Sequence, residues 1–296
     1  MSVIELNDVH RSYGHGHEVL SGVSFAVDEG EVVGLLGVNG AGKTTLIHII
    51  MGMLRPQAGT VRVLGCDPRD DPVALKRRIG FVSEDQVLPP ALSVDAVLDL
   101  HRELFPTWDA ALEGRLRQRF RFEDRAKVGT LSKGQTRQLA LLCAVAHRPE
   151  LLVLDEPGGS LDPAMRRGFL ETSIQLLAES GTTILFSSHY MSDVERIAGR
   201  AVLINDRRVL LDDDLEALRE EHVLVVVPRA EADVSRLEAD PGCLKARIHV
   251  NTVHAVFIGR AEEVEGRLKR EHGVARATCR HVPLEELFVE LVGEDS

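Results

Sequence analysis

The chain has 296 residues, 44% of them hydrophobic and 27% charged, with 25 glycines and 12 prolines. That balance excludes collagen-like, low-complexity and largely disordered chains, and the length predicts one large domain with a smaller one attached. Thirty-five Lys and Arg against 46 Asp and Glu leave a net charge of −11, a surface that repels phosphate backbones, so no nucleic-acid partner is expected.

Cys66, Cys143, Cys243 and Cys279 stand far apart without a CxxC pair and read as reduced, structural thiols. The opening MSVIELNDVHRSYG has neither the basic start nor the apolar stretch of a signal peptide. The best apolar run, residues 139–146, is far short of the roughly 20 residues of a spanning helix. A cytoplasmic chain that crosses no membrane by itself is expected.

Periodicity then divides the chain. Residues 3–9 alternate loosely and predict a strand, as do residues 24–27. Residues 31–36 (EVVGLL) are a short apolar run that stops at a glycine-rich turn, and residues 44–53 carry apolar side chains at helical spacing. Short strands follow at 60–64 and 79–82. From 93 to about 148 the texture is helical. Ser93 is placed to cap a helix that Pro106 ends, residues 110–120 form a basic amphipathic helix, and residues 136–147 an apolar one closed by Pro149. Basic residues at 115–125 read as a solvated helix face. A buried strand at 151–154, a helix at 163–179, a strand at 183–187, a helix at 191–198 and a hairpin of 201–204 with 208–211 complete an α/β pattern with a helical insert. The charged stretch 212–221 reads as a boundary helix or linker. Beyond it, strands at 223–227, 244–250, 253–258 and 275–281 alternate with helices at 230–238 and 261–272, and a short helix closes the chain. That order suggests a split β-α-β, ferredoxin-like module. The expected domains are 1–212, with a helical subdomain at about 90–148, and 213–296.

Residues 37–44 read GVNGAGKT, the pattern G-x-x-x-x-G-K-[ST], between an apolar strand and a helix. Across Gly37, Val38, Asn39, Gly40, Ala41 and Gly42 the glycines let the backbone curl so that N–H groups converge on phosphate oxygens. The helix that follows adds its positive dipole end. Lys43 supplies a cation for the β- and γ-phosphates, and the Thr44 hydroxyl is a hard oxygen suited to Mg²⁺. Asp155, directly after the LLVL strand, is placed to hold Mg²⁺, and Glu156 next to it can polarise an attacking water. His189 follows the strand TTILFSS and is a candidate contact to the γ-phosphate. Position alone leaves a structural histidine as the commoner case.

With these residues the sequence resembles the ATP-binding cassette (ABC) ATPases through about its first 210 residues. The family's LSGGQ signature stands here as LSKGQ at residues 131–135, followed by an apolar helix and then LLVLDEP. The resemblance implies an α/β, P-loop NTPase fold of the ABC type with a helical subdomain, followed by a small α+β domain. It implies ATP and Mg²⁺ as ligands, and ATP hydrolysis with Glu156 and His189 as the catalytic pair. It adds Thr45 to the nucleotide-binding set and makes Tyr13 the aromatic that stacks on adenine. The family works as a head-to-tail dimer around two ATP, so Ser132, Gly134 and Gln135 would meet the nucleotide held by a second protomer, whether identical or another cassette. Residues 159–162 (GSLD) resemble the loop that crosses that interface and carries Asp162 to it. A separate transmembrane permease subunit is the implied partner, with this chain peripheral on the inner face of the cell membrane.

Two positions depart from the family pattern. In IGFVSEDQ, residues 79–86, alignment from Ile79 puts Glu84 where the family has a Mg²⁺-contacting glutamine, with Gln86 two residues on. Lys133 replaces a signature glycine, and its cation has two readings open, beside the partner's nucleotide or in solvent. The closing PLEELFVELVGE resembles the tail of bacterial exporter cassettes whose membrane subunit is a separate chain. Residues from Glu84 to Ser93 are the expected docking surface for that subunit. Two rival readings are a non-transport ABC ATPase acting on nucleic acid or the ribosome, and a regulatory ATP switch. The first lacks the tandem cassettes, coiled coil or zinc modules usual for it. The second is kept alive by Glu84 and opposed by Glu156 and His189.

Overall fold

Two twelve-residue strands, β1 (Ser2–Tyr13) and β2 (His17–Asp28), open the computed structural model. It describes residues 1–14, 16–85, 88–123, 125–159, 163–178, 181–274 and 276–293. The two strands pair antiparallel and run well beyond the segments that alternate in sequence. Register shifts between Leu6 and Val9 and between Val9 and Arg11 break the period of two, which hides their full length. After β3 (Val32–Leu36) and α1 (Lys43–Ile50), β4 (Ala58–Val63) returns to pair with β1, giving a three-stranded sheet in the order β2-β1-β4. Periodicity misses α2 (Pro72–Arg77), which is too short to show a 3.6-residue pattern and buries only Leu75. Its signals are local: Pro72 in the first turn, and Asp71 accepting from the Ala74 N–H at 2.9 Å.

The second sheet adds β5 (Ile79–Val82). The helical insert follows as α3 (Val94–Leu104), α4 (Ala110–Phe120) and α5 (Lys133–Val145). Ser93 caps α3 as expected, accepting from the Ala96 N–H at 3.2 Å. The chain then alternates β6 (Leu151–Leu154), α6 (Pro163–Ala178), β7 (Thr183–Ser188), α7 (Met191–Ile197) and the hairpin β8 (Arg200–Asn205) with β9 (Arg208–Asp214). The six strands lie in the order β5-β6-β7-β3-β8-β9, parallel except for β9. Both faces of this sheet are covered, which is why its strands read as unbroken apolar runs. Along β6, Leu151 and Val153 face a core shared with α1 and the three-stranded sheet, while Leu152 and Leu154 face a second core shared with the helical insert.

The stretch 212–221 is neither a linker nor one helix. Residues 212–214 finish β9, where Arg200 Nε donates to Asp212 at 2.7 Å, and α8 (Leu215–Glu220) follows. The remaining elements are β10 (His222–Pro228), α9 (Val234–Glu238), β11 (Cys243–His249), β12 (Thr252–Ile258), α10 (Ala261–Arg267), β13 (Thr278–His281) and α11 (Leu284–Val292). The helix expected at 230–238 is shortened because Asp233 caps α9 from within that span. The four strands form an antiparallel sheet in the order β11-β12-β10-β13. Val223, Val225, Val253, Ala255 and Phe257 cluster with Leu237 of α9 and Val264 of α10 on one face. Leu224 and Val256 face the other way, into the core that holds α11 and continues into the cassette. No helix among the described residues is long and apolar enough to cross a membrane.

Candidate nucleotide site

The turn between β3 and α1 is built by glycine. Gly42, the residue before α1, has φ +100°, and a Cβ there would come within 2.8 Å of Leu20 Cδ2 and 3.0 Å of the Val19 carbonyl. Only glycine closes this turn without strain. Lys43 is 5% exposed and folds back over the loop, donating from Nζ to the Gly37 carbonyl at 2.6 Å and the Val38 carbonyl at 3.1 Å. The Ala41 N–H donates to that same Val38 carbonyl. Beside the loop lies a cavity of about 490 Å³. The loop residues Asn39, Gly40, Gly42, Lys43, Thr44 and Thr45 line it together with Glu84, Glu156, Tyr13, His17 and Val19. Tyr13 ends β1 half-exposed, its hydroxyl 3.3 Å from Thr45 Oγ1 and its ring under the Arg11 guanidinium.

The two acids after β6 are set differently. Asp155 is 1% exposed and accepts from Ser187 Oγ at 2.7 Å, while that hydroxyl accepts from the Glu156 N–H at 2.8 Å. Glu156 takes a φ of +45°, and its carboxylate faces Lys43 of the loop. One oxygen, Oε2, accepts from His189 Nδ1 at 2.8 Å, and the other, Oε1, lies 3.2 Å from Lys43 Nζ. Oε1 is buried and accepts no geometrically sound hydrogen bond among the described residues. The Thr44 hydroxyl and the Glu84 carboxylate on the cavity and the buried carboxylate of Asp155 are hard oxygens of the kind that fits Mg²⁺.

Ser187, Arg137 and Arg166 are the residues sequence reasoning missed, while His17, which reads in sequence as a loop histidine, lines the cavity. Arg137 from α5 donates to the Ser83 carbonyl at 2.6 Å and to the Glu84 carbonyl, anchoring the loop that presents Glu84. Burial lowers its guanidinium pKa, with Glu84, Asp85 and Asp155 opposing that. Arg166 covers the Tyr190 ring and pairs with Asp193 at 2.9 Å behind His189. Burial raises the Asp193 pKa against the pull of Arg166.

The signature lies elsewhere. Ser132 caps α5 in a reciprocal box with Gln135, giving and receiving bonds of 3.0 and 3.2 Å. Gly134 is buried, and a Cβ there would overlap Met165 Cε. Lys133 is exposed. None of these residues lines the 490 Å³ cavity of its own chain. Asp162 and Gln86 lie outside the described residues.

A phosphate loop on a parallel sheet, two acids at the tip of β6 two strands away in that sheet and a capped LSKGQ helix define an ATP-binding cassette. A family model described as ABC transporter matches residues 20–159. The chain is 32% identical over its full length, and 95% of the relative's, to Nod factor export ATP-binding protein I of Rhizobium etli. It is 28% identical to ABC transporter ATP-binding protein YtrB of Bacillus subtilis over 98% of both chains. A solved structure titled as a dimeric bacterial ABC transporter cassette, MJ0796, is 25% identical and superposes with a TM-score of 0.64 over 72% of this chain and 98% of its own. The chain belongs to the ATP-binding proteins of ABC transporters, and it is an ATPase.

Proposed function

We propose that two copies of this cassette, or one copy and a related cassette, close head to tail around two MgATP and drive a separate membrane-embedded permease in export. Glu156 is the general base in this reading. Its oxygens are held between Lys43 Nζ at 3.2 Å and His189 Nδ1 at 2.8 Å, and this observation carries the assignment. A water oxygen attacks the γ-phosphorus as Glu156 takes its proton, and the bond to the β,γ-bridging oxygen breaks to leave ADP and phosphate. Lys43 and the loop N–H groups hold the phosphate charge, and His189 orients the base and meets the γ-phosphate. Thr44, Asp155 and Glu84 are the residues that would hold Mg²⁺, which would supply charge neutralisation at the phosphates. Tyr13, at the exposed mouth of the cavity, is suited to stacking on adenine.

Dimerisation is supported by the capped signature helix, which does not line its own chain's cavity, and by the dimeric structure of the MJ0796 cassette. Ser132, Gly134 and Gln135 then meet the partner's γ-phosphate, and Asp162 belongs to the interface between protomers. ATP favours closure because it binds both halves at once, and hydrolysis removes that bridge. Export is the direction named for the Nod factor relatives. The loop from Glu84 to Ser93 docks the permease, which holds the chain on the inner face of the membrane. We take residues 1–212 as the cassette and 213–296 as an accessory module of ferredoxin-like type.

The test is Glu156→Gln. Turnover is expected to fall at least about a hundredfold, while ATP, which the variant still binds, accumulates in a dimer visible by light scattering. Wild-type turnover in that variant removes Glu156 as the base. Retained loss of turnover with a monomer at saturating ATP, with or without a membrane subunit, removes the dimer.

A further inference from the structure

The turn between β11 and β12 brings two histidines and a glutamate from α11 to one point, far in sequence from the nucleotide loop. His249 ends β11, and His254 lies two residues into β12. Val250, in the turn between them, has φ +33°, a costly setting for a β-branched residue. The two imidazole rings lie face to face with centroids 4.1 Å apart. Glu290, on the buried side of α11, completes the group. Its Oε1 is 2.7 Å from His254 Nδ1 and its Oε2 3.6 Å from His249 Nε2. All three donor atoms fall within 4.8 Å of one another.

We propose that His249, His254 and Glu290 form a divalent transition-metal site of the Zn²⁺ class, clasping α11 to the accessory sheet. A tetrahedral ion with bonds of about 2.0–2.2 Å needs donors roughly 3.3–3.5 Å apart. The 2.7 Å contact between His254 and Glu290 has to open by about 0.6 Å, and a pair as wide as 4.8 Å to close by about 1.3 Å, movements that side-chain torsions supply. Two imidazole nitrogens and one carboxylate oxygen suit Zn²⁺, Co²⁺ or Ni²⁺ and disfavour Mg²⁺ and Ca²⁺, which take oxygen sets. The fourth position faces solvent on the His249 side, which is the more exposed at 34%. Neighbouring cations are engaged elsewhere: Arg280 pairs with Glu286, and Arg247 donates to the Leu291 carbonyl at 3.2 Å. The near partner of the Glu290 carboxylate is His254, with Arg280 acting on it through its charge. Because α11 also packs into the core that holds Met191 of α7, the ion would fasten the accessory sheet to the helix that follows His189.

The experiment uses the full chain, stripped with chelator, desalted, and titrated with ZnCl₂ in the absence of nucleotide, with CoCl₂ as a spectroscopic probe. One equivalent of Zn²⁺ is expected to bind, with tetrahedral cobalt d–d bands and no thiolate-to-cobalt charge transfer. Zn²⁺ at one hundred times Kd should raise Tm by about 5 °C. Glu290→Gln should weaken binding at least about tenfold. His249→Gln, at an exposed position, supplies the same reading if the buried variant fails to fold. Absence of saturable binding overturns the proposal. So does equal binding by the His249→Gln and Glu290→Gln variants, or a cobalt spectrum dominated by thiolate.

Discussion

Ser187 is a single hydroxyl shared by both acids of the site, giving its proton to Asp155 and accepting the Glu156 N–H. Glu156 holds φ +45°, a setting that costs about 1 kcal/mol or more unless neighbours fix it. The Ser187 hydrogen bond helps to hold that setting, and the same hydroxyl orients the carboxylate proposed to hold Mg²⁺. Ser187→Ala should therefore lower kcat about tenfold or more with a smaller change in the KM for ATP, measured by steady-state phosphate release. Lys43, Asp155 and Glu156 could be named as candidates from the sequence because phosphate and metal chemistry call for those residue types beside a glycine turn, and the fold brings Lys43 and Glu156 within 3.2 Å. Ser187 could not be named, because its role arises from two strands lying side by side. Its only trace is a hydroxyl at the end of an otherwise apolar run. Arg137 was hidden for the same reason. It looks like one more charged residue on a helix until the fold sets it against the Glu84 carbonyl.

Among the elements, the helical insert is tied internally by charge, and the basic face of α4 is not simply solvated. Glu113, 4% exposed, accepts from Arg102, Arg117 and Trp108, and Arg117 also reaches Asp95. Burial pushes the Glu113 carboxyl up, but the Arg102, Trp108 and Arg117 hydrogen bonds outweigh it and bring the pKa down to about 2. The unfolded carboxyl titrates near 4.5. The stability this group supplies is thus complete above that value and fades as pH falls toward 2. Glu113→Gln should cost about 2 kcal/mol at neutral pH and flatten the acid limb of a denaturation series between pH 4.5 and 2. An unchanged limb would mean other carboxylates govern it. Most elements were legible from period and caps alone: α4, β5 and β6 fall where the pattern puts them, and Ser93 caps α3. The failures are physical. Bulges interrupted β1 and β2, α2 was too short to show a period, and β9 ran on into a charged stretch because Arg200 pairs with Asp212.

At the scale of the whole molecule, one apolar core ignores the division the sequence suggests near residue 212. It runs from Leu116 and Leu139 in the insert through Leu154 and Phe186 of the sheet to Leu218, Leu287 and Leu291 near the end of the chain. The accessory sheet has two faces with different loyalties. Val264 belongs to a core of its own, whereas Leu291 of α11 shares one with Met191 of α7. Composition could not foretell this, since either face of that sheet reads as the same alternation of valines. The two faces make a discriminating pair of truncations. Leu291→Ala and Val264→Ala each empty a fully buried position, at a cost of about 3 kcal/mol for the leucine and less for the valine. Leu291→Ala should raise amide hydrogen exchange in α7, beside His189, as well as in α11. Val264→Ala should loosen α9 and α10 and leave α7 protected. If both variants loosen α7 alike, the core is one cooperative unit across both faces. If neither does, α11 is a passive cover, and the accessory module does not bear on the nucleotide site through it.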